Sequence, residues 1–326
     1  MKWEGEVQLR FACPACRTAL EPARAGELRC PAEDHVYEKV DGIWRFLLPE
    51  RAAFFRRFIQ EYETVRRAEG RGADDPAYYR ALPFRDLTGR YQEDWRIRAQ
   101  SFFALIEHVV EPLELGRSRP LVVLDLGAGN GWLSYRLARR AHVVAAVDLL
   151  TNTFDGLGAH VHYDTAFTPV QAEFDRLPFA DGLADLVVFN GSFHYATHYE
   201  TTLQEALRVL RQSGRLVIMD SPVYRDARSG ERMVREREAL FEAKYGFPSN
   251  ALSSENFLTF ERLDELRQHL GIAWRVIRPP YAYGWRWTLR RWRTRLVSRR
   301  EPAQFMLIVG RTEEKRAGLE MGTSTE

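Results

Sequence analysis

Three groups of residues in this 326-residue chain have the types and spacing to do chemistry. The first is Asp125-Leu126-Gly127-Ala128-Gly129-Asn130-Gly131, which ends the apolar run LVVLDL and leads into the helix-like stretch GWLSYRLARRA. Alternate glycines let the backbone approach a ligand closely, and the helix start beyond them offers unpaired N–H groups. Ligands of open α/β sheets bind at this end of the strands. A dinucleotide fingerprint would need its third glycine at position 132, where Trp132 stands, and a phosphate-cradling loop would need Gly-Lys-Ser/Thr, which is absent. The second group is Cys13, Cys16, Cys30 and His35. The two-residue gap between Cys13 and Cys16 lets two thiolates share a tetrahedral zinc, with Cys30 and His35 as the remaining ligands. Three cysteines cannot all pair, and a reducing compartment favours metal over a disulfide. The competing reading is a small packing unit with buried thiols. The third group lies in NGSFHYATHYE, where His194 and Tyr195 are the candidate catalytic residues. The competing reading of His194 is a histidine that only packs.

The elements that must position these groups are legible as four zones. Residues 1–49 are a cysteine-bearing unit rich in turn signals, closing with Asp41-Gly42 and Pro49. Residues 50–118 read as a helical segment, since RAAFFRRFIQEYETVRRA and YQEDWRIRAQSFFALIEHVV carry apolar residues at three- and four-residue spacing. From 119 to 312 the β-rich runs LVVLDLG, HVVAAVDL, DLVVFNG and RLVIMD alternate with helical ones, which predicts an α/β fold with a parallel sheet covered on both faces. Residues 313–326 are polar and read as a flexible tail.

With these elements in place, Asp125-x-Gly127-x-Gly129-x-Gly131 resembles the first motif of the class I S-adenosylmethionine-dependent methyltransferases. AAVDL ends the next strand with Asp148, where that family's acid binds the ribose hydroxyls, and AEFDRLPFADGLADLVVFN is similar to its segment running from the adenine site into the fourth strand. The resemblance covers roughly 119–312 and implies a Rossmann-like three-layer αβα sandwich with a mostly parallel seven-stranded sheet. It also implies a cofactor site built from Asp125, Gly127, Ala128, Gly129, Asn130, Gly131, Asp148, Leu149, Glu173, Phe174 and Asn190. Glu173 would accept from the adenine amino group, where the family more often has Asp, and Phe174 would lie against the ring. The first zone resembles the small zinc ribbon that precedes some class I methyltransferases, including those that methylate guanine in large-subunit ribosomal RNA. The usual fourth cysteine is replaced by Glu33, and the histidine of the ribosomal RNA enzymes, four residues after the third cysteine, is here five residues on, at His35.

Substrate reading follows from what departs from the family. Its nucleic-acid amino methyltransferases carry Asn/Asp-Pro-Pro-aromatic where this chain has Asn190-Gly191-Ser192-Phe193, which disfavours amino methylation of bases. A formal charge of +2 is nearly balanced. The expected acceptor is therefore a small, lipophilic or anionic molecule. Ribosomal or transfer RNA is the alternative that Arg17, Arg24 and Arg29 keep open, and a non-catalytic cofactor-binding scaffold is a third reading. The insertion SPVYRDARSGERMVREREALFEAKYGFPSN reads as a lid helix over the acceptor. In residues 285–300, Trp285, Leu289, Trp292 and Leu296 form an apolar stripe among arginines, suited to an anionic membrane surface, to RNA phosphates, or simply to packing on the sheet. No apolar run approaches the roughly 20 residues of a membrane-spanning helix, and MKWEGEVQLR lacks the apolar core of a secretion signal, so a cytoplasmic location is expected.

Overall fold

The computed structural model describes residues 8–279 and 300–312. In the cysteine-bearing segment, strands β1 (Glu21–Pro22), β2 (Glu27–Arg29), β3 (Val36–Val40) and β4 (Ile43–Arg45) pair antiparallel in succession. Asp41 and Gly42, both at positive φ, form the two-residue turn between β3 and β4, the role for which an Asp-Gly pair is suited. Helices α1 (Pro49–Ala68), α2 (Pro76–Ala81) and α3 (Gln92–Leu105) follow, and α3 continues through a π-helical turn at Ile106–Val110 into α4 (Glu111–Glu114). Prolines begin α1 and α2, where a backbone N–H would have no helical partner, and Asp75 caps α2 by accepting from the Ala77 N–H at 2.8 Å.

The α/β unit comprises β5 (Val122–Leu126), α5 (Trp132–Ala138), β6 (Val143–Asp148), β7 (Thr168–Gln171), β8 (Ala184–Asn190), α6 (Tyr199–Val209) and β9 (Leu210–Met219). It continues with β10 (Val223–Tyr224), α7 (Ala227–Tyr245), β11 (Leu258–Thr259), α8 (Phe260–Leu270), β12 (Ile272–Ile277) and β13 (Leu307–Thr312). The strand order β7-β6-β5-β8-β9-β13-β12 is parallel except at β13, which runs against both neighbours. This is the mostly parallel seven-stranded sheet implied by the resemblance. Alternate residues of β5 serve two cores: Val122, Leu124 and Leu126 share one with Leu203 of α6 and Leu263 of α8, and Val123 shares the other with Phe102 of α3 and Leu133 of α5. Every residue of β5 is buried for that reason.

One pairing was not anticipated. β4 adds in parallel to β7, with Trp44 opposite Val170 and Arg45 opposite Gln171, so the sheet extends to eleven strands. Phe11 packs on Phe46 and Phe179 with ring centroids 5.1 and 5.6 Å apart, and Cys13 and Cys30 join the same core as Leu124. Because α1 begins four residues beyond β4, this edge fixes where α1 starts. Among the described residues no helix is long and apolar enough to cross a membrane. The stripe of residues 285–300 lies outside the described residues except for Arg300, whose Nε donates to Glu236 of α7 at 2.8 Å. Residues 313–326 also lie outside them.

Candidate active site

A cleft of about 1020 Å³, partly open to solvent, lies beyond the carboxyl ends of β5, β6 and β8. Gly127, Ala128, Gly129 and Asn130 line it, and the N–H groups of Gly127 and Ala128 both donate to the Val147 carbonyl, tying the turn to β6. Gly127 has φ +76, and a Cβ there would stand 2.2 Å from Ser192 Cβ, so only glycine is accommodated. At the end of β6 the Asp148 carboxylate accepts from the Gly129 and Leu150 N–H groups, each at 2.8 Å. Those bonds fix its position, while each oxygen keeps a lone pair for a further donor. Burial, opposed by these bonds, pushes its pKa up to about 6. Leu149, Phe174 and Asn190 also face the cleft, and Asn190 Oδ1 is buried with no hydrogen-bond partner among the described residues.

Four residues singled out in the sequence stand apart from the cleft or from the thiols. Asp125 does not reach the cleft: it is fully buried beneath the turn and accepts from Ser134 Oγ at 2.8 Å, joining β5 to α5. Gly131 is likewise set back, capping α5 where a Cβ would meet Phe167 at 2.6 Å. His194 lies outside the lining as well. Its Nδ1 stands 3.2 Å from Ser221 Oγ, and burial pushes its pKa down to about 3, with Arg237 adding to the effect. Tyr195, the next residue in the same short helical turn, does line the cleft. His35 is the fourth. The sulfurs of Cys13, Cys16 and Cys30 all lie within 4.8 Å of one another, Cys16 to Cys30 at 3.5 Å, but His35 is exposed and outside this group. Its carbonyl accepts from the Cys30 N–H at 2.8 Å, which fixes the turn and leaves the imidazole outward. The Tyr37 hydroxyl, 3.2 Å from Cys13 Sγ, stands beside the thiols instead.

Several lining residues went unassigned in the sequence. Phe55, Phe58, Tyr62 and Arg66 come from one face of α1 and roof the cleft. Two ion pairs fasten that helix: Arg51 grips both oxygens of Glu173 through Nε at 2.8 and 2.9 Å and Nη2 at 2.6 Å, and Arg66 pairs with Asp155. Glu173 therefore faces the cleft with one set of lone pairs engaged. Arg98 of α3 also lines the cleft, stacked 4.9 Å over Trp95, and has no acceptor for its N–H groups among the described residues. The apolar periodicity of α1 was readable, but nothing local told which face would meet a ligand.

Residues 124–218 match the family model described as a methyltransferase domain. This stretch is a class I S-adenosylmethionine-dependent methyltransferase domain. Over 116 residues the chain is 29% identical to malonyl-acyl-carrier-protein O-methyltransferase 1 of Coxiella burnetii, covering 35% of this chain and 38% of that protein. Over 127 residues it is 35% identical to the demethylmenaquinone methyltransferase of Beutenbergia cavernae, covering 38% of this chain and 46% of that protein. The chain thus spans less than half the length of these curated relatives. Among solved structures, geranyl diphosphate C-methyltransferase from Streptomyces coelicolor aligns at 17% identity with a TM-score of 0.46, over 67% of this chain and 81% of that one.

Proposed function

We propose that the chain transfers a methyl group from S-adenosylmethionine to a small-molecule acceptor. The observation that carries this reading is the cleft on the methyltransferase domain, where a glycine floor, a backbone-fixed Asp148 and the Phe174 ring converge under α1. Asp148 would accept from both ribose hydroxyls, Glu173 from the adenine amino group while Arg51 holds it in place, and Phe174 would cover the ring. Asn190 Oδ1 suits the cofactor's ammonium, and Arg98 suits its carboxylate. When bound, the cofactor supplies a methyl sulfonium, and the acceptor's lone pair forms the new bond to carbon as the carbon–sulfur pair leaves with sulfur. Enclosure by α1 orients the reactants and excludes water, which supplies much of the rate. A base is needed only for an acceptor that arrives protonated, and Tyr195 rather than His194 lines the cleft for that task. A cleft roofed by the aromatic face of α1 favours a small acceptor over RNA. Tritiated S-adenosylmethionine incubated with separated small-molecule and RNA fractions of a cell extract tests this: label is expected in the former, and label confined to RNA contradicts it.

The cofactor affinity should depend on pH through Asp148. Ribose hydroxyls donate to the carboxylate, and that form prevails only above its pKa of about 6. Lowering the pH to 5 should therefore weaken S-adenosylhomocysteine binding roughly ten-fold relative to pH 7.5. Calorimetric titration at the two values measures it, and equal affinities would count against the assigned role.

The three thiols suit three corners of a structural zinc, whose Zn–S bonds of about 2.3 Å set sulfurs a little under 4 Å apart. We propose that Cys13, Cys16 and Cys30 hold such an ion. Elemental analysis should find one zinc per chain in protein purified without chelator, and Cys16→Ser should lose it. Chelation should unfold the segment before α1 and leave the seven-stranded sheet standing. Metal-free protein with that segment intact would refute the assignment.

A further inference from the structure

Beneath α7 lies a second chamber of about 590 Å³, and its wall shares Phe58, Tyr62, Tyr195 and Leu252 with the cofactor cleft. The three rings of that wall stand 5.7 to 6.1 Å apart, centroid to centroid. A molecule occupying the chamber would lie against aromatic faces and point toward the methyl-donor side. On the far side is Arg237 of α7. Its Nη1 donates to Asn256 Oδ1 at 3.1 Å, while its Nε is buried with no acceptor among the described residues. A buried guanidinium N–H without a partner is unfavourable, and an oxyanion in the chamber would satisfy it.

Charge selects the class of that oxyanion. The other ionic groups lining the chamber are already matched: Arg66 pairs with Asp155 and Glu69, and Glu69 pairs with Arg71. Arg237 is the one lining cation with no acidic partner among the described residues. One unbalanced positive charge on a planar donor fork matches a monoanionic carboxylate better than a dianionic phosphate. An aromatic cluster can also receive an ammonium group, but the unbalanced charge of Arg237 in the same chamber opposes a cation. We infer that the methyl acceptor is a monocarboxylate with an aromatic or apolar body, its carboxylate on Arg237, its body along Phe58, Tyr62 and Tyr195, and its nucleophilic end in the cofactor cleft. This inference rests on the methyl-transfer reading and narrows it.

The test uses the full chain saturated with S-adenosylhomocysteine, titrated by fluorine NMR with 4-(trifluoromethyl)benzoate. The matching benzamide, benzylamine and phenyl phosphate serve as comparison probes. The benzoate should bind roughly ten-fold or more tighter than each of the others. Arg237→Gln should erase that preference and leave S-adenosylhomocysteine affinity unchanged, which also shows that the variant is folded. Equal binding of benzoate and benzamide, tightest binding by the amine or the phosphate, no benzoate binding, or a preference that survives Arg237→Gln overturns the inference while the methyl-transfer reading stands. A wild-type chain that fails to bind S-adenosylhomocysteine overturns both.

Discussion

Gly129→Arg should abolish binding of S-adenosylhomocysteine and leave a folded protein. Gly129 lines the cleft with φ +55, and the nearest atom to a Cβ built there is the Asp155 carbonyl oxygen at 3.5 Å. The new side chain therefore meets open cleft rather than packed core. The left-handed backbone conformation costs about 1–2 kcal/mol for a residue with a Cβ, which a chain of this size can bear. Filling the backbone approach to the ligand removes far more. Calorimetry should detect no binding where the wild-type chain binds, with circular dichroism unchanged, and undiminished affinity would mean that this turn is not the cofactor floor. The neighbouring Gly127→Ala differs in kind, because its Cβ collides with Ser192 and the loss would begin with folding.

Asp185→Ala should lower the stability of the chain by roughly 3–5 kcal/mol, the range for removing one partner from a buried charge cluster. Asp185 is the second residue of β8 and is fully shielded from solvent. It accepts from Arg117 at 2.6 Å, from two nitrogens of Arg119 at 2.8 Å each, and from the Val122 N–H at 2.9 Å, with Arg211 at 3.7 Å. Although burial opposes ionisation, the Arg119, Val122 and Arg117 bonds prevail and hold its pKa at about 2. A carboxyl whose folded pKa is depressed contributes stability above its unfolded pKa of about 4, and that contribution is lost as pH falls toward 2. Denaturant titration at neutral pH should show the full deficit, and the wild-type and variant curves should converge as the pH falls toward 2. A deficit under about 1 kcal/mol would mean that the arginines find other partners.

How much of this was legible in the sequence follows from how local each signal is. The glycine turn and Asp148 were readable because a strand, a tight turn and a helix start are specified by adjacent residues. Glu173 and Phe174, singled out in the sequence, line the cleft, but the Arg51 grip had no sequence signal, since it joins positions 122 residues apart. His194 and Tyr195 are neighbours in one short helical turn, and nothing local told that His194 would stand against Ser221 while Tyr195 lines the cleft. His35, expected from the spacing as the fourth ligand, is exposed and stands outside the group of three sulfurs, and its carbonyl accepts from the Cys30 N–H. The junction of β4 with β7 pairs residues 126 apart in sequence, and no periodicity reports such a partner. Arg237 was visible only as one arginine in a charged insertion until Asn256 and the chamber gave its N–H groups a setting.

Titration of the full wild-type chain with S-adenosylmethionine, and separately with NAD, tests the central claim most directly. The account predicts one S-adenosylmethionine bound per chain and no heat of binding with NAD. A chain that ignores S-adenosylmethionine and binds NAD in this cleft would contradict it.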